Sequence, residues 1–316
     1  MHLGLLISPL ARGAYFADYV SVCQTEVACV LGCQAQHAIH GNLDLLECEL
    51  NADALSEVAR LSFIQGAFEI RNGLLRPLQL DPRFNLPDDF VFGSKYRGKT
   101  NEVVTQLLVN LGLRYAESKS GKAKTLLDPM CGRGTTLMTA MRFGLNSKGI
   151  EQDKSVLADI TQSLKKWTKL HRVKHSLNQG FVGRANKQGR GRFVRFSNQS
   201  NHLQVIIGDS RETGDLMGRE RFDIIATDLP YGVQHHTTTG TRNPIAVIEA
   251  CATGWANALR PGGAMVIAYN RLQPKPVQLI NAFDGCGLTE QPLKLSHRMS
   301  ESIIRDILVL TKSEAS

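Results

Sequence analysis

From Thr125 to Gly287 short apolar runs alternate with amphipathic stretches, and this alternation constrains the fold more than any other feature of the chain. TLLDP, NSKGIEQD, LQVIIGDS, FDIIATDLPYG and AMVIAYN read as strands. TTLMTAMRFG, SVLADITQSLKKWTKLH, AVIEACATGWANAL (stopped by Arg260-Pro261-Gly262-Gly263) and KPVQLINAFDGCG read as helices. The amphipathic helix NEVVTQLLVNLGLRYAE precedes the series, and LTEQPLKLS with SIIRDILVLTK reads as a closing strand pair. The pattern predicts an α/β fold: a mostly parallel sheet covered by helices on both faces, with an antiparallel last strand. Ligands of such sheets bind beyond the carboxyl ends of the strands.

Residues 1–75 read as a small α+β unit of their own. AYFADYV is expected as a strand, TEVACVLGC as a helix, LDLLECEL as a strand of open register and ADALSEVARLSFIQGAFEI as a long helix. Residues 76–93 carry Pro77, Pro82 and Pro87, which excludes a continuous helix or central strand and predicts a linker. The α/β unit is expected over 94–316.

Hydrophobic residues at 42% and charged residues at 21% exclude collagen-like, coiled-coil and wholly disordered chains. No apolar run reaches the eighteen residues of a membrane span. The opening MHLGLLISPLARGAYF lacks the basic start of a signal peptide. Seven cysteines without CxxC pairs point to reduced thiols and a cytoplasmic setting. Cys23, Cys29, Cys33 and His37 lack a second ligand pair, so no metal site is expected.

The formal charge of +8 is unevenly distributed. Between Ile160 and Gly208 there are ten basic residues and no acidic one; without those ten, 27 basic residues face 29 acidic ones. Within this stretch the insertion over about 171–201 is rich in Gly, Asn and Gln, with Phe181, Phe193 and Phe196 among the bases, and reads as a loop or protruding hairpin. Lys174, Arg184, Lys187, Arg190, Arg192 and Arg195 are the candidate nucleic-acid contacts. Bases neutralise phosphates, and rings or guanidinium planes stack on unpaired bases.

A glycine loop, Asp128-Pro129-Met130-Cys131-Gly132-Arg133-Gly134-Thr135-Thr136, follows the strand TLLDP. Dinucleotide binders carry a third glycine where this chain has Leu137. An aspartate ahead of the glycines repels a pyrophosphate and suits a cationic ligand such as an amino group. Glu151 closes the second strand, where a carboxylate can accept from both ribose hydroxyls, and Asp209 closes the third, where an adenine amine can be read. Three acids on successive strand ends match S-adenosylmethionine, which has a ribose, an adenine and a sulfonium but no phosphate. Each acid taken singly can also be a helix cap.

The fourth strand ends in Asp228-Leu229-Pro230-Tyr231, which resembles the Asp/Asn-Pro-Pro-aromatic motif of methyltransferases acting on exocyclic nitrogens of nucleobases. An exocyclic base amine is a poor nucleophile because its lone pair is delocalised into the ring. Two acceptors, the Asp228 carboxylate and the Leu229 carbonyl oriented by Pro230, would turn it tetrahedral, and Tyr231 would stack on the extruded base. Cys131 lies in the cofactor loop, which disfavours a covalent cysteine route. His235 and His236 are second-tier pocket candidates, and alternation cannot decide which way Arg298 and Arg305 face.

These strings, with SKYRGKTNE and RMSESIIRDILVL, resemble the Rossmann-fold, class I S-adenosylmethionine-dependent methyltransferases of the THUMP-associated tRNA guanine-N2 type, over about 94–312. The resemblance implies cofactor contacts from Thr100, Asn101 and Glu102, from the loop residues Asp128 to Gly132 and Gly134 to Thr136, and from Glu151, Gln152, Asp209, Ser210 and Asp228. It implies RNA as partner, tRNA favoured, and an N-terminal unit similar to a ferredoxin-like domain. The chain departs from the family in leaving only the short linker where a THUMP domain would lie. Two rival readings share the motifs: a DNA amino-methyltransferase, and a non-catalytic RNA-binding factor on the same scaffold.

Overall fold

The computed structural model describes residues 1–81, 84–96, 99–117, 124–182, 191–230 and 244–314. The first unit comprises β1 (His2–Ile7), α1 (Pro9–Tyr15), α2 (Tyr19–Leu31), β2 (Gln36–His40), β3 (Leu43–Glu49), α3 (Leu55–Val58), β4 (Ile64–Arg71) and β5 (Leu74–Leu78). Its antiparallel sheet has the order β2-β3-β1-β4-β5, so the first four strands follow the ferredoxin-like arrangement and β5 extends one edge.

Two expectations for this unit are corrected. AYFADYV is helical, because Ser8 caps α1 through its side chain, Pro9 sits at the first turn, and the chain re-enters helix at Tyr19. The strand role passes to His2–Ile7, whose Leu3, Leu5 and Ile7 point into the core. The expected long helix is cut to α3 by tight turns at Arg60 and Leu61. Ile64–Arg71 pairs with β1 instead, its side chains alternating between the two faces of the sheet. Leu74–Leu78 pairs as an edge strand, where the missing N–H of Pro77 is tolerated.

The second unit begins with α4 (Asp89–Phe92) and α5 (Glu102–Tyr115). It continues through β6 (Thr125–Asp128), α6 (Thr135–Arg142), β7 (Asn146–Glu151), α7 (Val156–His171), β8 (Ser176–Phe181), β9 (Arg192–Ser197) and β10 (His202–Ile207). Then come α8 (Thr213–Met217), β11 (Phe222–Asp228), α9 (Ile245–Ala258), β12 (Leu259–Asn270), α10 (Pro276–Asn281), β13 (Leu288–Glu290), β14 (His297–Arg298) and β15 (Ile304–Lys312).

The sheet order is β13-β15-β12-β11-β6-β7-β10-β9-β8, with β14 paired to β15. Strands β10, β7, β6, β11 and β12 run parallel, and β15 lies antiparallel to β12. This is a Rossmann-like α/β sheet, mostly parallel, with an antiparallel last strand. Arg260-Pro261-Gly262-Gly263 lies inside β12 rather than before it, and α9 ends at Ala258. The basic insertion forms the hairpin β8–β9, which pairs onto β10 and widens the sheet.

One hydrophobic core runs through both units, joining Leu3, Leu5 and Phe63 to Val104, Leu107 and Ile224. At their junction the buried Glu26 of α2 accepts from the Ser62 amide (2.9 Å) and from Asn110 of α5 (2.7 Å), and burial pushes its carboxyl up to about 6. Among the described residues no helix is long and apolar enough to cross a membrane.

Candidate active site

The parallel order brings the carboxyl ends of β6, β7, β10 and β11 to one edge, and with them Asp128, Glu151, Asp209 and Asp228. Asp128 is fully buried. Desolvation pushes its carboxyl up to about 7, opposed by hydrogen bonds from Thr136 and the Met130 amide (3.1 Å) and reinforced by the neighbouring Asp228. Pro129 is buried and Met130 half-buried.

Gly132 (φ 49°) and Gly134 (φ 79°) take the left-handed conformation, the second as N-cap of α6. A Cβ on Gly132 would meet nothing within 4 Å, so the loop leaves open space there. The loop is tied to β7 by the Cys131 amide on the Ile150 carbonyl (3.0 Å) and the Gly132 amide on Glu151 Oε2 (2.9 Å). Cys131 packs against Gly149, where a Cβ would lie 2.5 Å from its Sγ; burial drives its thiol far up, which fits a packing residue.

Glu151 also accepts from the Asp153 amide (2.9 Å). Asp209 caps the turn after β10 through the Arg211 amide (2.9 Å) and pairs with the Arg211 guanidinium. Arg211, with a further hydrogen bond from Gln152, holds its carboxyl below the usual range. The capping role is therefore real for Asp209, and Gln152 joins the ends of β7 and β10.

The Ser210 hydroxyl is turned inward, accepting from Trp255 Nε1 (3.1 Å). Asn101 caps α5 through the Val103 and Val104 amides (2.9 and 3.3 Å), with Thr100 half-buried beside it and Glu102 paired to Lys99. Tyr96 donates to or accepts from Thr135 Oγ1 (2.9 Å) and lies under the Arg133 guanidinium, 4.7 Å from the ring centre, so the segment before α5 rests on the glycine loop.

At the end of β11 the Leu229 amide donates to the Ala268 carbonyl (2.9 Å), which fixes the chain as it leaves the sheet; Leu229 is buried and Pro230 half-buried. Arg305 Nη2 of β15 stands 3.4 Å from Asp228 Oδ2, both side chains less than a tenth exposed. Tyr231, His235 and His236 lie outside the described residues, as do Arg184, Lys187 and Arg190.

The remaining basic candidates separate. Arg192 and the exposed Phe181 face each other at the carboxyl end of β10, beside the Gly191–Ile207 hydrogen bond (2.7 Å). Arg195 is opposite Gln204 in mid-strand. Lys174 precedes β8 at the amino end of β10, roughly 20 Å away for a six-residue strand. A hollow of about 360 Å³ between α4, α6 and α7 is lined by Tyr96, Lys99, Arg133 and Lys166, among others, but by none of the four strand-end acids. The four carboxylates converge instead at the strand ends, away from this hollow.

A family model described as RMKL-like, methyltransferase domain, matches residues 113–278, more than half of the chain. The chain belongs to the RMKL-like methyltransferase-domain family. The matched range contains the glycine loop, Glu151, Asp209 and Asp228. The family's S-adenosylmethionine-dependent chemistry sets the test for these residues, and they fit the cofactor. Gly132 leaves room, the acids offer acceptors to an ammonium and to hydroxyls, and the cation of the loop, Arg133, is engaged by Asp159 (2.7 Å) and Tyr96.

No curated protein matches the chain by sequence. Among solved structures, TrmN from Thermus thermophilus is 16% identical with a TM-score of 0.46; the match covers 89% of this chain and 60% of that one. The T. thermophilus 16S rRNA N2 G1207 methyltransferase RsmC, in complex with AdoMet and guanosine, is 16% identical with a TM-score of 0.40, over 95% and 62% of the two chains. PH1948 from Pyrococcus horikoshii, a putative RNA methyltransferase, is 17% identical with a TM-score of 0.42, over 73% and 92%. The chain thus spans about three fifths of the length of TrmN and of RsmC.

Proposed function

We propose that the protein transfers a methyl group from S-adenosylmethionine to the exocyclic amine of a nucleobase in RNA, guanine N2 in tRNA or rRNA. The observation that carries this reading is Asp228, a largely buried carboxylate at the carboxyl end of β11, beside the acid of the cofactor loop and held by Arg305. Guanine's Watson–Crick edge presents two adjacent donors, N1–H and the N2 amine. A carboxylate accepts from both, whereas the N1 acceptor of adenine would face the same carboxylate unfavourably.

In this reading Asp128 receives the cofactor's ammonium, Glu151 its ribose hydroxyls and the turn at Asp209 its adenine. When bound, the cofactor supplies an electrophilic methyl on a sulfonium. Asp228 and the Leu229 carbonyl accept the amine's hydrogens and direct its lone pair toward that methyl, and Tyr231 stacks on the base. Alignment of this kind supplies up to ~7–11 kcal/mol of barrier lowering, while proton acceptance by Asp228 adds on the order of 10²–10⁴-fold.

The basic hairpin is the proposed RNA surface. Arg192 and Phe181 lie at the crevice end of the sheet, the position from which a guanidinium and a ring reach a strand whose base enters the pocket. The same proposal divides the chain into an N-terminal unit over 1–75, extended to Leu78 by β5, a linker within 76–93, and a catalytic unit over 94–316, extended back to Asp89 by α4, and includes a cytoplasmic setting. Transfer from tritiated S-adenosylmethionine to total RNA and to genomic DNA, followed by nucleoside mass spectrometry, tests it. N2-methylguanosine in RNA is expected; label in DNA, or in adenine alone, overturns it.

A further inference from the structure

The short strand β14 sets His297 directly opposite Arg305 of β15, so the two side chains share a face. His297 is 1% exposed, and neither ring nitrogen has a hydrogen-bond partner among the described residues. Packing, rather than hydrogen bonding, holds the ring. It meets the ring of Tyr15 edge-on at 5.2 Å and 75°. Tyr15 ends α1 of the N-terminal unit and is itself anchored by its hydroxyl on Ser62 Oγ (2.9 Å). A second tie lies alongside, the Arg298 amide on Asp18 Oδ2 (2.9 Å). Burial and the adjacent guanidinium push His297 down to about 4, so a neutral ring borders Arg305 at neutral pH.

We infer that Arg305 is a positioning residue for Asp228, and that the N-terminal unit, through Tyr15 and His297, holds Arg305 in place. The inference rests on the methyl-transfer reading of Asp228. A buried arginine–carboxylate pair is a poor source of stability, because both charges leave water. Its use here is geometric: a buried planar guanidinium, set on β15 directly opposite the packed His297 of β14, restricts the rotation of the carboxylate it holds. The N-terminal unit then acts on the reaction without touching either substrate.

The test uses full-length protein with Arg305→Met, Arg305→Lys, His297→Ala and the Arg305→Met/His297→Ala double variant. Methyl transfer to total RNA is measured beside S-adenosylhomocysteine binding by calorimetry. Arg305→Met should lower kcat at least 30-fold, with the Kd for S-adenosylhomocysteine within twofold and KM for RNA within threefold. Arg305→Lys should recover about tenfold over Arg305→Met. His297→Ala should lower kcat about fivefold, yet add nothing in the Arg305→Met background, which a general loss of packing would not reproduce.

Wild-type kcat in Arg305→Met, an equal loss of cofactor binding, or independent multiplication of the two effects overturns the inference. If the wild-type protein methylates no RNA, the functional reading fails, and urea unfolding of Asp228→Asn, Arg305→Met and their combination decides the link instead. Non-additivity of at least fivefold in the unfolding constant supports the pairing, and additivity overturns it.

Discussion

Asp128→Asn is expected to stabilise the cofactor-free protein while weakening its grip on the cofactor. The Asp128 carboxyl, raised from 3.8 to about 7, holds a proton in the folded chain at pH values where the unfolded chain has lost it. Its contribution is therefore most favourable below about pH 4 and is lost as pH rises through about 7. At 1.36 kcal/mol per decade, the cost of ionising it in place approaches about 4 kcal/mol above neutrality. Asparagine keeps an oxygen for the Met130 amide and the Thr136 hydroxyl but carries no charge to bury. Urea unfolding without ligand should show the variant more stable by about 2–4 kcal/mol at pH 7.5, converging on wild type near pH 4.

S-adenosylhomocysteine reverses the order. Its ammonium offers Asp128 the opposite charge, and a charge-assisted hydrogen bond of ~1.5–3 kcal/mol predicts about 10- to 100-fold weaker binding by the variant. Wild-type affinity should also fall as pH drops below about 7, and the variant's should not. Equal stability at pH 7.5 together with equal affinity would refute both the burial of the charge and its assignment to the ammonium.

Three further outcomes follow from the same geometry. Asp228→Ala should reduce methyl transfer at least 10³-fold, as expected from losing both alignment and proton acceptance, with S-adenosylhomocysteine affinity within threefold by calorimetry. Gly149→Ala should lower stability by about 1–3 kcal/mol in thermal unfolding, and weaken cofactor binding with it. The added Cβ would sit 2.6 Å from the Cβ of Cys131 and 2.8 Å from Leu137 Cδ1, displacing the loop. Arg192→Glu with Arg195→Glu should weaken RNA binding in filter assays; if each arginine neutralises one phosphate of a single strand, the slope of log K against log salt falls by about 1.4.

Residues whose place is set by their own strand are legible in the sequence. Asp128, Glu151 and Asp228 each end a strand inside a short string, the two glycines follow in the loop after Asp128, and parallel order alone then brings them together. Asp209 shows why a residue type does not settle a role: an aspartate at a strand end is equally a cap, and Arg211 two residues on marks the cap that forms. The N-terminal unit is ambiguous in sequence for a different reason. HLGLLI and AYFADYV are both short and apolar, and only the cap at Ser8 and the pairing of β1 between β3 and β4 separate strand from helix. For ADALSEVARLSFIQGAFEI, helical propensity in the first half was overridden by pairing in the second.

Arg305 was the residue that sequence periodicity could not place. IIRDILVL carries apolar side chains on both faces because β15 is covered on both, so parity does not tell which face receives the arginine. Its partner Asp228 lies 77 residues earlier, and what selects the face is a third element, the two-residue β14, together with a ring from the other unit. An arginine inside a largely apolar closing strand is the visible signal. Arginine is seldom fully buried without a partner, so the useful question was which acid at a strand end could pair with it. In a class I sheet the closing antiparallel strand lies beside β12, which is itself beside β11, and the acid ending β11 is Asp228.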